Sequence, residues 1–274
     1  MAKKRKVKKS ASGRGAVRRA LRRPTRSRRS PARRSPAPAT APKTFLLVHG
    51  AWHGGWCWRR VADLLTARGH KVFTPTLTGL GARSHLINDG IDLDTHIADI
   101  VNFIKWEGLA DVVLCGHSYG GMVISGIAER SLPAISSLVF LDAFVPEDGE
   151  AMVDIVAPAA REGIMAALQK GGKTVAPRSA AMFNVNENDR AWVDSLLLPQ
   201  PIGTMTQKMK LTGARDRVPV KAYVRATGYE NPVFQSYYEK LKRDPSWRVF
   251  AAPCGHDVMV DMPKRLAEIL ESLA

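Results

Sequence analysis

Residues 111–121 read DVVLCGHSYGG, and this segment carries the clearest indication of the fold. Its first half is an apolar run typical of a buried strand, and its second half has the spacing G-x-S-x-G at Gly116, Ser118 and Gly120. A sharp turn from strand to helix at this spacing raises the serine above the sheet and frees the next backbone N–H. The glycines permit the close backbone approach that such a turn needs. Ser118 is therefore the candidate nucleophile, and the alternative is a serine that only caps the following helix.

A second glycine-rich segment follows the first predicted strand. The apolar run at residues 45–48 ends in HGAWHGG at residues 49–55. Negative charge that develops on a carbonyl oxygen needs preorganised donors. We predict that these donors are the backbone N–H of Ala51 and that of Tyr119, the residue after Ser118.

The same loop supplies candidate substrate-binding residues. Gly50 keeps the loop tight, and Trp52 and His53 are predicted to line a pocket. Trp56 follows closely and fits either the pocket or the core.

Seven histidines compete for the role of general base. A neutral hydroxyl attacks an ester carbonyl poorly, so the serine needs a base and the base needs an orienting acid. His256 lies in a Gly-His segment directly after the last predicted strand, residues 247–250, and can therefore reach the carboxyl-terminal edge of the sheet. The chain order of serine, acid and histidine also favours it.

Two residues are candidates for the orienting acid. Asp142 ends a predicted strand at residues 137–141, at the same sheet edge as Ser118. Glu230 lies in the loop after the next predicted sheet strand. Asp142 is preferred, although it could be a helix cap and Glu230 a solvated loop charge. Asp257 is too close in the chain to orient its own neighbour, and we expect it to make loop hydrogen bonds.

Strands alternate with helices along residues 44–274, which predicts an α/β domain with a mostly parallel sheet flanked by helices. Asp94 is predicted to cap one of these helices. Residues 144–218 break the alternation, are expected to be mainly helical and, inserted between two sheet strands, to form a lid over the active site. The alternative is that their many methionines only fill gaps in the core.

The charge of the chain is concentrated at one end. Residues 1–43 hold 17 of the 41 Lys and Arg residues and none of the 25 acidic ones, so the net charge of +16 comes from this segment. With almost no large apolar residue to bury, it is predicted to be a disordered basic tail. KKRKV at residues 3–7 resembles a nuclear localisation signal and could also bind nucleic acid or an anionic surface. The alternative is a solvated tail without a specific partner.

Cysteine content and hydropathy bear on the cellular compartment in which the protein is expected. Three cysteines are too few and too scattered for a disulfide framework or a zinc cluster, so no metal is expected. No run reaches the roughly 18 apolar residues of a membrane span, and no apolar region follows the basic start as in a secretory signal. The cytoplasm is the expected compartment, with nuclear or organellar targeting by the tail as the alternative. The oligomeric state stays open.

On the basis of these motifs, residues 44–274, which we call the body, resemble the α/β-hydrolase superfamily. The body is most similar to the branch that holds plant hydroxynitrile lyases, plant methyl esterases and related bacterial esterases. The matching segments are VHGAWHGGW at residues 48–56, GHSYGG at residues 116–121, FLDAFVP at residues 140–146 and GHDVM at residues 255–259. They span nearly all of the body and none of the tail.

Departures from that branch bear on the reaction. Its lyases have a threonine at the position of Gly50 and a lysine at that of Asp257, which favours ester hydrolysis here. Its plant enzymes place the acid in the loop that here holds Glu230, whereas Asp142 resembles the acid of some haloalkane dehalogenases. Dehalogenases and epoxide hydrolases need an aspartate nucleophile, so Ser118 excludes both activities.

The motifs and the resemblance together predict a cofactor-independent serine carboxylesterase for small to medium esters. The apolar character of the predicted lid and the tryptophans favour an uncharged, partly apolar or aromatic substrate. The alternatives are a hydroxynitrile lyase and a thioester or carbon–carbon bond hydrolase, which use the same residues.

Overall fold

The computed structural model describes residues 41–274. The predictions for the basic tail, including the one for residues 3–7, lie outside the described residues except at positions 41–43.

Eight strands occur in residues 41–274, and six of them form one sheet. They are β1 (Thr44–Val48), β2 (Lys71–Phe73), β3 (Val112–His117), β4 (Ile135–Leu141), β5 (Thr174–Val175), β6 (Gln200–Pro201), β7 (Val220–Ala226) and β8 (Trp247–Ala252). The order across the main sheet is β2-β1-β3-β4-β7-β8, and every neighbouring pair is parallel. The predicted α/β architecture is confirmed.

Helices flank the sheet on both faces. They are α1 (Arg59–Ala67), α2 (Leu93–Trp106), α3 (Gly120–Ser131), α4 (Met152–Ile155), α5 (Pro158–Gln169), α6 (Glu187–Asp194), α7 (Gly203–Thr206), α8 (Pro232–Lys242), α9 (Val258–Asp261) and α10 (Pro263–Ser272). Short 3₁₀ helices lie at Gly55–Trp58, Gly81–Leu86, Leu132–Ala134 and Ala214–Arg217.

The apolar runs in the sequence reflect a sheet that is buried on both sides. In β1, Phe45 and Leu47 belong to the core cluster that includes α1 and α10. Leu46 and Val48 belong to the cluster on the other face, with α2, α3 and α8. A strand covered on both faces needs a continuous apolar run rather than an alternating pattern.

Strand order places a crevice at the carboxyl edge of the sheet. From β1 the chain runs outward to β2 and then returns to the other side of β1 to form β3. The loop after β1, residues 49–55, and the turn after β3 therefore meet at the point where the strand order reverses. Ligands in open α/β sheets bind at such a switch point.

One predicted helix cap is wrong. Asp92, not Asp94, caps α2: its carboxylate accepts from Thr95 N–H at 2.8 Å, and the Thr95 side chain accepts from Asp92 N–H. The reciprocal bonds need a polar side chain three residues after the cap, which Asp92 has in Thr95. Asp94 lies in the first turn, where it pairs with Arg130.

The segment between β4 and β7 holds α4–α7, but it is less helical than predicted. Its helices alternate with loops and with an antiparallel pair formed by β5 and β6. Of its methionines, Met152 and Met205 line a cavity that is described below, and Met209 is buried in the core. Met182 is 61% exposed and does neither.

None of the helices described in residues 41–274 combines the length and the apolar character that crossing a membrane requires.

Candidate active site

The turn after β3 holds Ser118 in a strained conformation. Its φ of 53° is in the left-handed region, which costs a residue with a side chain about 1 kcal/mol. The turn is fixed by bonds from Ser118 N–H to Leu141 O at 3.2 Å and from Gly121 N–H to Ser118 O at 3.0 Å. A Cβ on Gly116 would lie 2.5 Å from Gly120 O. Only glycine at position 116 allows α3 to start this close to β3.

His256 lies beside this turn on the segment that follows β8. Its Nδ1–H donates to Asp142 Oδ2 at 2.7 Å, and both side chains are buried. Nε2 has no hydrogen-bond partner within residues 41–274, and the imidazole lines the same cavity as Ser118. The residue therefore has one nitrogen fixed by a carboxylate and the other available at the cavity.

The register of the sheet explains why Asp142 reaches His256. Leu141 at the end of β4 pairs with His117 on one side and with Val224 on the other. Asp142 therefore emerges one residue further, beside Ser118, with a φ of 42° and no exposed surface.

Glu230, the other candidate acid, is exposed. It makes no hydrogen bond or ion pair in the part of the chain that the structure describes. The structure thus brings Asp142, and not Glu230, to the histidine.

The two predicted oxyanion donors are free. Among residues 41–274, no acceptor is bonded to the backbone N–H of Ala51 or of Tyr119, although Ala51 is 2% exposed and Tyr119 is fully buried. Buried N–H groups are rarely left without a partner. Two such groups therefore lie on either side of the switch point without an acceptor among residues 41–274.

Two neutral histidines hold these donors in place. His49 Nδ1–H donates to Gly50 O at 2.9 Å, and its Nε2 accepts from Leu77 N–H at 3.1 Å. Burial lowers the pKa of His49 to about 3. His96 Nε2–H donates to Thr78 O, and its Nδ1 accepts from the Tyr119 hydroxyl at 3.0 Å. Burial also lowers the pKa of His96, to about 4.

Of the pocket residues predicted in the loop after β1, only Trp52 lines the cavity. Its N–H donates to Gln200 and its indole N–H to Val175 O, both at 3.0 Å. Gly50 is not in the cavity wall. A Cβ on Gly50 would lie 2.8 Å from His117 Nδ1 and 3.0 Å from Ser118 Cβ.

His53 lies behind the site rather than in the cavity wall. Its Nδ1–H donates to Ala51 O at 2.8 Å and its Nε2–H to Asp257 Oδ2 at 3.1 Å, so both nitrogens carry protons. Burial opposes the charged imidazole, but the charge and hydrogen bond of Asp257 outweigh it and raise the pKa of His53. Burial works against Asp257 as well, yet His53 holds the pKa of this carboxyl below its usual range. This pair joins segments 204 residues apart and is not among the sequence predictions.

A cavity of about 500 Å³ opens in front of Ser118 and His256. Its wall is mostly apolar, and it contains no carboxylate. Much of it comes from the segment between β4 and β7. The larger apolar lining residues in that segment include Phe144, Met152, Val156, Ile164, Phe183 and Met205.

The described residues give no sign of a metal centre or disulfide. No group of three or more His, Cys, Asp or Glu side chains in residues 41–274 is arranged to hold a metal ion. Cys57, Cys115 and Cys254 are all free thiols.

Comparisons with known proteins agree on one family. The profile of the alpha/beta hydrolase family matches residues 45–269. A carbendazim hydrolyzing esterase of Nocardioides sp. strain SG-4G is 44% identical over 238 residues, which cover 84% of this chain and 98% of the relative. Methyl jasmonate esterase 1 of Vitis vinifera is 35% identical over 103 residues, 37% of this chain and 40% of the relative.

A solved structure has the same fold. It is an extracellular alpha/beta-hydrolase from a Paenibacillus species, described as sharing structural and functional homology with tobacco salicylic acid binding protein 2. It superposes with a TM-score of 0.73 at 25% identity and covers 85% of this chain and 99% of that one.

Proposed function

The chain belongs to the alpha/beta hydrolase family, and from that premise we propose that it is a serine-dependent carboxylesterase that cleaves small to medium uncharged esters through an acyl-enzyme. One observation carries the proposal: the buried His256–Asp142 pair leaves Nε2 of His256 available at the apolar cavity that Ser118 also lines. We assign Ser118 as the nucleophile, His256 as the base and Asp142 as the orienting acid, the set of groups that acyl transfer requires.

In the first half of the reaction, Ser118 Oγ attacks the ester carbonyl carbon while His256 Nε2 accepts the hydroxyl proton. Asp142 holds Nδ1–H and stabilises the imidazolium that forms. The carbonyl oxygen becomes an oxyanion between the N–H groups of Ala51 and Tyr119. A donor at such a position contributes a factor of about 10² to 10³ in rate.

In the second half, the tetrahedral intermediate collapses and His256 returns the proton to the leaving alcohol. A water molecule then attacks the acyl group on Ser118 as His256 accepts its proton. A second collapse releases the carboxylic acid and restores the serine. Each proton is taken and returned by the same nitrogen.

The segment at residues 144–218 serves as a lid in this proposal. Support comes from its contribution to the cavity wall and from its bonds to the loop after β1 through Trp52. A mostly apolar wall without a carboxylate favours a partly apolar substrate and disfavours a cationic one, since burying a charged group without a partner is costly. Arg178 also lines the cavity, so the preference for an uncharged substrate is part of the proposal.

Carbendazim is a specific candidate substrate. The relative that is 44% identical and covers 84% of the chain is a carbendazim hydrolyzing esterase. Chromatographic loss of carbendazim, with Ser118→Ala as the control, tests this assignment.

A lyase activity of the same family branch is the less favoured alternative. A threonine in place of Gly50 would bring its Cβ to 2.8 Å from His117 Nδ1. Asp257, at the position of the branch's lysine, is engaged with His53 and fully buried. Release of cyanide from a cyanohydrin would reveal a lyase.

The first experiment is hydrolysis of p-nitrophenyl esters of increasing acyl length. We expect release of p-nitrophenol with a preferred acyl length, and loss of nearly all turnover in Ser118→Ala. Retention of most turnover in that variant would contradict the serine mechanism. Activity on thioesters or on carbon–carbon bonds, measured with the same control, would redirect the substrate assignment.

For the tail at residues 1–43 we propose binding to nucleic acid or another anionic surface, on the basis of its charge alone. A mobility-shift assay compares the full chain with a chain that lacks these residues. Binding that disappears with the tail and at raised salt supports phosphate contacts, and binding that survives truncation contradicts them.

A further inference from the structure

Arg225 is a buried cation that the motifs do not assign. It lies one residue before the end of β7, and its side chain is 3% exposed. Arginine is almost never buried in a protein unless it is paired. Its position in a strand of a sheet covered on both faces therefore calls for partners in the interior.

The partners come from two different parts of the chain. Nη1 of Arg225 donates to Asp142 Oδ1 at 2.7 Å and to Ala226 O. Nη2 donates to Tyr229 O at 2.6 Å. The planar guanidinium thus joins the end of β4 to the loop that follows β7, a geometry that a lysine cannot reproduce.

These bonds fix which oxygen of Asp142 faces the histidine. Oδ1 accepts from Arg225 and from Ala226 N–H at 3.0 Å. Oδ2 remains for Nδ1–H of His256. A buried carboxylate also needs a countercharge to remain ionised, and Arg225 provides it within hydrogen-bond distance.

The bond to Tyr229 fixes a second contact of His256. The Tyr229 ring lies 4.7 Å from the imidazole, centroid to centroid, with an angle of 33° between the planes. The same ring lines the cavity. The loop that Arg225 holds through Tyr229 O therefore packs against the imidazole that Arg225 also orients through Asp142.

We infer that Arg225 is a positioning residue, which orients Asp142 towards His256 and holds the Tyr229 loop against the imidazole. It acts through these residues and does not touch the substrate. This inference rests on the proposed function, because it assigns Arg225 to the support of the proposed triad.

The test compares Arg225→Met with Arg225→Lys. Displacing reacting groups by about 1 Å costs roughly 100-fold in rate, and we expect a loss of about that size in kcat for Arg225→Met with little change in KM. Without the guanidinium, the charge of Asp142 acts on His256 alone and favours the imidazolium, so the acid limb of the kcat/KM profile shifts to higher pH.

Arg225→Lys keeps the positive charge, but the lysine can form only some of the hydrogen bonds that the guanidinium makes to Asp142, Ala226 and Tyr229. We expect a loss of about tenfold in kcat with the acid limb unmoved. If Arg225→Met does not fold, as judged by circular dichroism and thermal melting, the lysine variant decides. Turnover equal to that of the wild type in the lysine variant would then overturn the inference.

A double-mutant cycle separates positioning from general structural support. If Arg225 acts through Asp142, adding Arg225→Met to Asp142→Asn costs less than about threefold, because the two losses are not additive. An equal fold-loss in both backgrounds would overturn the inference, as would an Arg225→Met variant with the kcat and pH profile of the wild type.

A readout without turnover distinguishes this inference from the proposed function. The Nδ1 proton of His256, in its bond to Asp142, is expected to give a downfield proton resonance, assigned by its absence in His256→Gln. The resonance should weaken or shift in Arg225→Met even if no ester is hydrolysed. An unchanged resonance would contradict the role of Arg225, whereas ester hydrolysis that fails in the wild type would contradict only the proposed function.

Discussion

Two buried His–Asp pairs lie close together in this protein, and they differ in what the second imidazole nitrogen does. In His256–Asp142, Nδ1 is bonded to the carboxylate and Nε2 is available at the cavity. In His53–Asp257, Nε2 is bonded to the carboxylate and Nδ1 to Ala51 O. The histidines are 3% and 2% exposed, so burial alone does not distinguish them.

The difference shows what a histidine needs in order to act as a base. An imidazole whose two nitrogens both donate carries a positive charge and has no lone pair to accept a proton. His53 can therefore stabilise the loop that bears Ala51, but it cannot activate a serine. His256 keeps one nitrogen free, and the carboxylate on the other side fixes its orientation.

The largest expected difference between the two pairs comes from replacing each histidine with glutamine. For His256→Gln we expect turnover to fall by roughly 10⁴-fold or more, because the serine loses its base. For His53→Gln we expect less than about a tenfold loss of turnover but a lower melting temperature. Steady-state ester hydrolysis and thermal unfolding measure both effects. Equal losses of turnover would mean that the pairs do not have separate roles.

The next largest effect is expected from replacing the acid that contacts His256. For Asp142→Asn we expect a loss of up to roughly 10⁴-fold in kcat, because the imidazole loses its orienting carboxylate. Glu230→Gln is the matched control and should stay within about twofold, since Glu230 is exposed. The turnover numbers of the two variants at saturating ester show which acid orients His256. Collapse of the Glu230 variant alone would assign the acid to the loop after β7.

Disrupting the His53–Asp257 pair should lower the free energy of unfolding rather than the turnover. Breaking a buried ion pair by removing one partner costs about 3 kcal/mol, and we expect a loss of this order in the unfolding free energy of Asp257→Asn. The raised pKa of His53 gives stability that is present below its ordinary value of 6.5 and is lost as pH rises through the folded pKa. The lowered pKa of Asp257 gives stability that is present above 3.8 and is lost as pH falls through the folded pKa.

The difference in unfolding free energy between wild type and Asp257→Asn should therefore be largest between about pH 4 and pH 6.5. It should shrink at higher pH as His53 loses its proton. Urea unfolding across this range measures it. A difference that is independent of pH would contradict the assignment of the pair as ionised.

The motifs explain why much of the architecture could be predicted from the sequence. Continuous apolar runs predicted buried parallel strands, and the glycine spacing around Ser118 predicted the turn after β3. These are local signals, because they depend on residues close together in the chain. The strands β5 and β6 have two residues each, which is too short to show any periodicity.

The rest depends on contacts between distant segments. The choice between Asp142 and Glu230 depends on the register of β4 against β3 and β7, which the sequence does not contain. The position of His53 depends on Asp257, which is 204 residues away. The pairing of Arg225 could have been predicted in part, because an arginine in a strand of a buried sheet needs an interior partner.

Labelling with a fluorophosphonate is the most direct test of the claim that Ser118, activated by His256, is the nucleophile. The reagent bonds covalently to an activated serine, and peptide mass spectrometry locates the adduct. We expect an adduct on Ser118 that forms in the wild type and in His53→Gln and is nearly absent in His256→Gln. An adduct on another residue, or undiminished labelling of Ser118 in His256→Gln, would contradict it.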